Sequence, residues 1–264
     1  MKRLTLVVLL VMTGCMPYHP SPSKVTTAPL PTIKGPAAVM SKPLEVLEKA
    51  IAARGGEAAL KKLSAVSYRG KGISAPGGVI SPFVFRTTSA LPDRIRDEQD
   101  YQDGTRFVQV FNKEKGWLAI NGKVKEINSD PAAIKSLKDL LYANQVLTLL
   151  PLKDKAYTLE PLPEQRKEGV MTQGFVVKQK DQPDISLFFD KETGELLLSK
   201  SRVIDPNALV ERDQETLYTQ YKTVQGIPFP MRWVIYNDGN KSMELSFEEL
   251  KFLDKVDEIL FAKP

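Results

Sequence analysis

The chain has 264 residues, of which 42% are hydrophobic and 8% aromatic, a composition typical of one globular domain with an additional segment. Its formal net charge of +5 comes from 37 basic and 32 acidic residues that are interspersed, which excludes the concentrated basic surface of a nucleic-acid-binding protein. The single histidine, His19, and the single cysteine, Cys15, both lie near the N-terminus. The rest of the chain therefore contains no Ser-His-Asp or Cys-His nucleophile, no zinc site of the usual kinds and no internal disulfide.

The first 14 residues have the pattern of an export signal. Lys2 and Arg3 precede an apolar run from Leu4 to Met12, which is much shorter than the ~20 residues that a membrane-spanning helix needs. The sequence Met12-Thr13-Gly14-Cys15 resembles the lipobox of bacterial lipoproteins, in which the cysteine is acylated and becomes the first mature residue, with Met12 where leucine is usual. We predict a signal peptide over 1–14 and lipidation of Cys15, the alternative being a plain signal peptide with an incidental cysteine.

Residues 15–42 are predicted to form a tether between the anchor and the folded domain. Prolines recur throughout this segment among Ser, Thr, Lys and small residues. Large apolar side chains are too few to offset the entropy of ordering the chain, so we expect a disordered, partly polyproline-like segment. Without Lys2 and Arg3, the mature chain carries 35 basic and 32 acidic residues, a net charge of +3.

The folded domain is predicted to begin with two helices at residue 43. Pro43 favours the first turn of a helix, and Leu44, Leu47 and Ile51 form one apolar stripe. Gly55-Gly56 ends this helix, and a second short helix is expected over 57–63.

Short extended runs with turns between them follow the two helices. Strands are predicted at 66–72, 79–88, 94–101, 105–112, 116–120 and 123–127. The reversals are marked by Pro76-Gly77-Gly78, Asp103-Gly104 and Asn121-Gly122, of which the last is a strong signal for a two-residue hairpin.

A longer helix is predicted from Asp130-Pro131 to about Leu150, where Pro151 ends it. Its leucines and Ile134 give it a broad apolar surface, which indicates burial on more than one side.

The remainder is again predicted to be sheet. Strands are expected at 156–160, 170–179, 185–190, 195–204, 209–222, 227–237 and 241–253. In the last strand the apolar alternation shifts from odd to even positions, which predicts a β-bulge around Glu248-Glu249. The resulting fold class is mainly β (α+β), an antiparallel meander of about a dozen strands with helices at the front and in the middle.

Several stretches of this layout resemble the lipoprotein-sorting (LolA/LolB-like) superfamily of bacterial envelope proteins. They are the helix-to-strand entry at 53–63, Gly116-Trp117-Leu118-Ala119-Ile120-Asn121-Gly122, the segment 187–194, and the segment 221–230, together covering a domain over 43–264. The resemblance implies an open antiparallel half-barrel whose concave face is covered by helices and encloses a hydrophobic cavity. In the best-known members that cavity holds the acyl chains of lipoproteins in transit between membranes.

A cavity of this kind requires apolar side chains that are not all consumed by packing against each other. The alternative for each candidate is an ordinary core position. The expected lining residues are Trp117, Leu137, Leu141, Phe175, Val177, Leu187, Phe189, Met231, Trp233, Ile235, Leu245 and Phe247.

The pattern therefore predicts a non-enzymatic, membrane-tethered binder of lipid or lipoprotein acyl chains, without cofactor or metal. A second hypothesis is a protein-binding or sensory envelope module with no lipid ligand. A third is a hydrolase dependent on paired carboxylates. The closest acidic pairs are Glu98 and Asp100, Asp181 and Asp184, Asp190 and Glu192, and Glu248 and Glu249.

Met16 follows Cys15 in place of the aspartate that often signals inner-membrane retention, which favours the periplasmic side of the outer membrane.

Overall fold

The computed structural model describes residues 39–75, 78–205 and 210–264. The predicted signal peptide, the lipobox with Cys15 and most of the predicted tether lie outside the described residues, as does Pro76-Gly77 of one predicted turn.

One antiparallel sheet of 14 strands forms the body of the domain. The strands are β1 (Ala65–Ser74), β2 (Ser81–Ala90), β3 (Arg94–Tyr101), β4 (Arg106–Asn112), β5 (Lys115–Ile120), β6 (Lys123–Glu126), β7 (Thr158–Pro161), β8 (Gln165–Lys167), β9 (Val170–Lys178), β10 (Ile185–Asp190), β11 (Leu196–Asp205), β12 (Val210–Val224), β13 (Ile227–Asn237) and β14 (Asn240–Phe252). Their spatial order is β6-β5-β4-β3-β2-β1-β14-β13-β12-β11-β10-β9-β7, with β8 also paired to β9, so the sheet is open. The predicted fold class is confirmed.

The first and last strands meet in the middle of the sheet. β1 pairs with β14, and the register slips where Arg69 faces Glu249 but Gly70 faces Phe247. Glu248 is therefore the extra residue of a bulge, as the shifted alternation predicts. Because of this bulge, Phe247 and Leu250 can both be buried in the same core.

Two-residue turns connect several of the strands. At Asn121-Gly122 both residues take positive φ, +48° and +77°, which confirms the predicted hairpin. Gln225-Gly226, within the segment 221–230 named above, forms a similar turn between β12 and β13 with φ of +48° and +83°.

Helices cover one face of the sheet, which we call the helix face. They are α1 (Pro43–Ala53), α2 (Gly56–Leu60) and α3 (Pro131–Leu147). The Asp130 side chain caps α3 by accepting a hydrogen bond from the Ala133 amide at 3.0 Å. α3 ends three residues before the predicted Leu150, because Leu149 takes φ of +68° and a 3₁₀ turn starts at Leu150.

Hydrophobic side chains form a core on each side of the sheet. On the helix face, α1 buries Leu47 and Ile51 in the largest cluster, and the N-terminal part of α3 buries Leu137 in a second one. A third cluster lies on the opposite face, which we call the back face, where Phe261 of the C-terminal 3₁₀ turn covers Val110 of β4. Among the described residues, none of the helices combines the length and apolar character needed to cross a membrane.

The chain enters the fold slightly before Pro43. The Ser41 amide donates to Leu162 O at 3.0 Å, and the Ser41 hydroxyl accepts from the Gly174 amide at 2.9 Å in a buried position. The described strands and cores lie between these contacts and Phe261. Hydrogen bonds to the sheet therefore begin before Pro43, within the last residues of the predicted tether.

Candidate ligand-binding cavity

Two adjoining cavities lie on the helix face between the sheet and the C-terminal half of α3. Tyr68, Asn144 and Trp233 border both of them. We call them the Arg54 cavity and the Asp97 cavity, after the ionisable side chain that each contains.

The Arg54 cavity has a volume of about 70 Å³, enough for a few water molecules or a small polar group. Most of its wall is apolar and comes from β1, β13, the end of α3 and the start of β11. Its lining residues are Arg54, Leu63, Val66, Tyr68, Ser89, Leu91, Asn144, Leu147, Thr148, Leu196, Tyr218, Phe229, Pro230 and Trp233.

The Asp97 cavity is larger, at about 170 Å³, which corresponds to on the order of ten water molecules. Its wall combines aromatic and aliphatic side chains with a polar group on β2, β3 and β4. Its lining residues are Tyr68, Phe83, Phe85, Thr87, Ile95, Asp97, Gln99, Gln109, Leu140, Asn144, Gln214, Trp233, Ile235, Met243 and Leu245.

The expected lining residues divide into four groups in the structure. Trp233 borders both cavities, and Ile235 and Leu245 border the Asp97 cavity. The main core on the helix face contains Phe175, Val177, Leu187, Phe189, Met231 and Phe247. Leu137 and Leu141 lie in the core under α3. Trp117 packs against the back-face cluster, on the side of the sheet away from the cavities.

Trp233 is held in place by its neighbours. Its ring lies 4.9 Å from that of Phe247 and 5.4 Å from that of Tyr218, measured between centroids. The indole Nε1 donates to Pro230 O at 3.2 Å. Because the polar edge is satisfied and the ring packs on aromatic neighbours, the remaining surface of Trp233 forms a fixed apolar wall between the two cavities.

Hydrogen bonds connect the polar side chains in the wall of the Asp97 cavity. The carboxylate of Asp97 accepts from the Thr87 hydroxyl and, at 2.8 Å, from Gln99 Nε2. Asp97 keeps some accessible surface because it faces the cavity, yet protein surrounds it, and this burial raises the pKa of its carboxyl group. On the neighbouring strand, Gln109 Nε2 is buried with no hydrogen-bond partner among the described residues.

Arg54 is the buried cation of the other cavity. The residue is 5% exposed, and its Nε has no hydrogen-bond partner within the described part of the chain. Burial lowers the pKa of the guanidinium, an effect that the nearby phenols of Tyr221 and Tyr218 oppose. Both phenols have other partners, since Tyr221 donates to Leu196 O at 2.7 Å and Tyr218 shares a hydrogen bond of 2.9 Å with Ser199.

Local structure explains why sequence reasoning missed both ionisable groups. Arg54 is the C-cap of α1, and its amide bonds back to Ala50 O at 3.1 Å, while its side chain reaches the wall of the cavity. A basic residue at the end of a helix is normally solvated. For Asp97, the alternation of Ile95, Asp97 and Gln99 along β3 was the available signal, because it puts all three on the face that contains apolar Ile95.

The four acidic pairs considered for hydrolysis are not in the described walls of either cavity. Glu98, for example, pairs with Arg96 at 2.6 Å and Arg106 at 3.0 Å, and Glu249 pairs with Arg69 at 2.7 Å. Within the described ranges, no three side chains of the His, Cys, Asp or Glu type come together as a metal site would require.

Solved structures with the same arrangement cover most of this chain. A LolA superfamily protein from Nitrosomonas europaea aligns with a TM-score of 0.53 at 12% identity, over 86% of this chain and 99% of its own. The chain has the LolA-superfamily fold. A domain from Vibrio parahaemolyticus assigned to outer-membrane lipoprotein sorting aligns with a TM-score of 0.50 at 14% identity, over 84% of this chain and 96% of its own. A DUF1329 family protein from Desulfovibrio piger gives a TM-score of 0.54 at 12% identity, over 83% and 96% of the two chains.

The likeness is confined to the fold. No family model matches this sequence, and no curated protein matches it. The resemblance predicted from the sequence is therefore confirmed for the LolA-like architecture.

Proposed function

We propose that this protein is a non-enzymatic envelope lipoprotein that binds an acyl chain of a lipid or lipoprotein between α3 and the sheet. The observation that supports this most directly is the pair of adjoining cavities, which leaves Trp233, Ile235 and Leu245 with apolar surface that packing does not fill. Apolar walls with a few polar groups are typical of small-molecule sites. The likeness to a domain assigned to lipoprotein sorting supports the same class of ligand.

The size of the cavities sets how a chain would enter. Volumes of about 70 and 170 Å³ hold part of an acyl chain, and a full-length chain needs more room. Leu140, Asn144 and Leu147 of α3 border the cavities, so displacement of the C-terminal half of α3 would join and enlarge them. We therefore propose α3 as the movable cover of the site.

The membrane anchor is the second part of the proposal. Lipidation of Cys15 would hold the domain at the periplasmic side of the outer membrane, and the Pro-rich segment to residue 42 would give it reach. Changing Cys15 to serine in the full chain should move the protein out of the membrane fraction and remove the acyl mass from its N-terminal peptide. Retention of both would overturn the proposed anchor.

The two tryptophans provide a matched test of acyl binding. Trp117 and Trp233 are the only tryptophans of the chain, and they lie on opposite faces of the sheet. The chain from residue 16, produced as Trp117→Phe or as Trp233→Phe, has one emitting indole on a known face. The probe is a monoacylglycerol with a dibrominated octadecanoyl chain, because bromine quenches tryptophan on close approach.

We expect the probe to quench the protein that retains Trp233 and to leave the protein that retains Trp117 unchanged. Equal quenching of both would indicate adsorption to the surface. Absence of quenching in both would contradict acyl binding and favour the protein-binding module as the function of this fold.

A further inference from the structure

The Arg54 guanidinium is the least compensated charge in the described part of the chain. An arginine that is 5% exposed loses most of its hydration, and burial of a charge is costly unless a partner replaces the water. Among the described residues Arg54 forms no ion pair, and its Nε lacks a hydrogen-bond partner. The nearby phenols of Tyr218 and Tyr221 do not supply an anion, because burial raises their pKa above the ordinary value, to about 12 for Tyr218, and both stay neutral.

The charge of Arg54 lies beside space that a ligand can occupy. Arg54 borders a cavity of about 70 Å³, and the larger cavity begins on the other side of Trp233. A cationic group in a small cavity that adjoins a larger, mainly apolar one matches a molecule with an anionic head and an apolar tail. The planar guanidinium presents a fork of N–H donors that fits the two oxygens of a carboxylate or phosphate.

We infer that Arg54 binds the anionic head group, a carboxylate or a phosphate, of a single-chain amphiphile whose acyl tail occupies the Asp97 cavity. This inference rests on the proposed acyl-binding function and adds the class of head group. Asn144 and Ser89 border the same small cavity and offer further polar contacts to the head. Asp97 lies in the other cavity, so it does not oppose the anion at Arg54.

The experiment compares three probes that share the dibrominated octadecanoyl chain and differ in the head group. They are the neutral monoacylglycerol, the free fatty acid at a pH that ionises its carboxylate, and lysophosphatidic acid. Each is titrated below its micelle concentration into the Trp117→Phe protein, whose emission comes from Trp233. The same titrations are made with Arg54→Met, Arg54→Lys and the control Arg166→Met, which removes an exposed arginine of β8.

We expect at least one anionic probe to bind about tenfold or more tightly than the neutral probe, as charged hydrogen bonds imply. Arg54→Met should abolish this preference while keeping affinity for the neutral probe, Arg54→Lys should retain part of it, and Arg166→Met should retain all of it. Preference for only the fatty acid or only the lysophosphatidic acid identifies the head group as carboxylate or phosphate.

Thermal unfolding of the ligand-free variants separates a binding role from a structural one. If Arg54 is reserved for a ligand, Arg54→Met should leave Tm unchanged or raise it, because the substitution removes an uncompensated buried charge. Equal affinity for neutral and anionic probes, or a lower Tm of Arg54→Met with the preference intact, would overturn the inference and leave acyl binding in place. No quenching by any probe would instead overturn the proposed function itself.

Discussion

Replacing Gly72 by alanine tests how tightly β1 and β2 are packed on the helix face. Gly72 lies opposite Phe83 in the sheet, and the Phe83 ring crosses over the glycine. A Cβ atom at position 72 would come within 2.1 Å of Phe83 Cζ. The ring, which is 3% exposed and stacks on Tyr101 with centroids 5.0 Å apart, would have to move.

The cost follows from the size of this displacement. An ordinary contact begins near 3.4 Å, so the ring has to shift by more than 1 Å, an overpacking change of about 1–3 kcal/mol. Alanine raises the free energy of unfolding by about 0.5–1 kcal/mol relative to glycine, because it restricts the unfolded chain. We expect Gly72→Ala to lower the free energy of unfolding by about 1–2 kcal/mol, which for a domain of this size lowers Tm by about 2–8 °C.

Urea unfolding of the chain from residue 16, with Gly72→Ala, Phe83→Leu and the double variant, provides the measurement. If the clash is the cause, removal of the ring relieves it, and the double variant should be more stable than the two single effects predict by about 1 kcal/mol. Stability of Gly72→Ala equal to that of the wild type, or strictly additive effects, would refute this reasoning.

Two further predictions concern other buried polar groups. Ser41→Ala removes the acceptor of the buried Gly174 amide and should lower the free energy of unfolding by about 1–3 kcal/mol. The control Ser64→Ala, at an exposed hydroxyl, should change the free energy of unfolding little. Equal effects of the two substitutions would contradict the role of Ser41. Burial raises the pKa of Asp97 in the folded state above the ordinary value of 3.8. The charged carboxylate therefore destabilises the fold at a pH above the raised pKa. Below pH 3.8 the carboxyl group is protonated in both the folded and the unfolded state and has no effect on stability. Asp97→Asn should therefore raise Tm at pH 7 and leave it unchanged below pH 3.8, and a lower Tm at pH 7 would show that the charge is stabilised.

Alternation and turn residues were sufficient to predict most of the sheet. β3, β10 and β13 have the predicted bounds. All three end at a turn, and the apolar residues of β10 and β13 alternate clearly. β8 was missed, since Gln165–Lys167 has no apolar residue to reveal a buried face. The bulge at Glu248 was predictable because a change of phase in the apolar pattern has few other structural causes.

The cavity walls were harder to predict, for a physical reason. In β5, Trp117 and Leu118 are both apolar because the strand has a core on each face, so alternation alone does not show which face adjoins the cavities. The difference between a core residue such as Phe175 and a wall residue such as Trp233 depends on gaps left by residues distant in sequence. Arg54 shows the same limit, because only the tertiary packing around the end of α1 buries it.

The pairing of β1 with β14 has a consequence for biogenesis. The strands β1–β6 form one run of sequential neighbours and β9–β13 a second, to which β7 and β8 are both added at β9, and β14 joins the two runs. Until β14 has been synthesised, β1 and β13 each have one edge without a partner. β1 and β14, which pair in the middle of the sheet, are separated in sequence by almost the whole domain. Such long-range closure is slow and leaves edges open to mispairing during synthesis. A sheet with this strand order reaches its complete native pairing only after the C-terminal strand β14 has been synthesised.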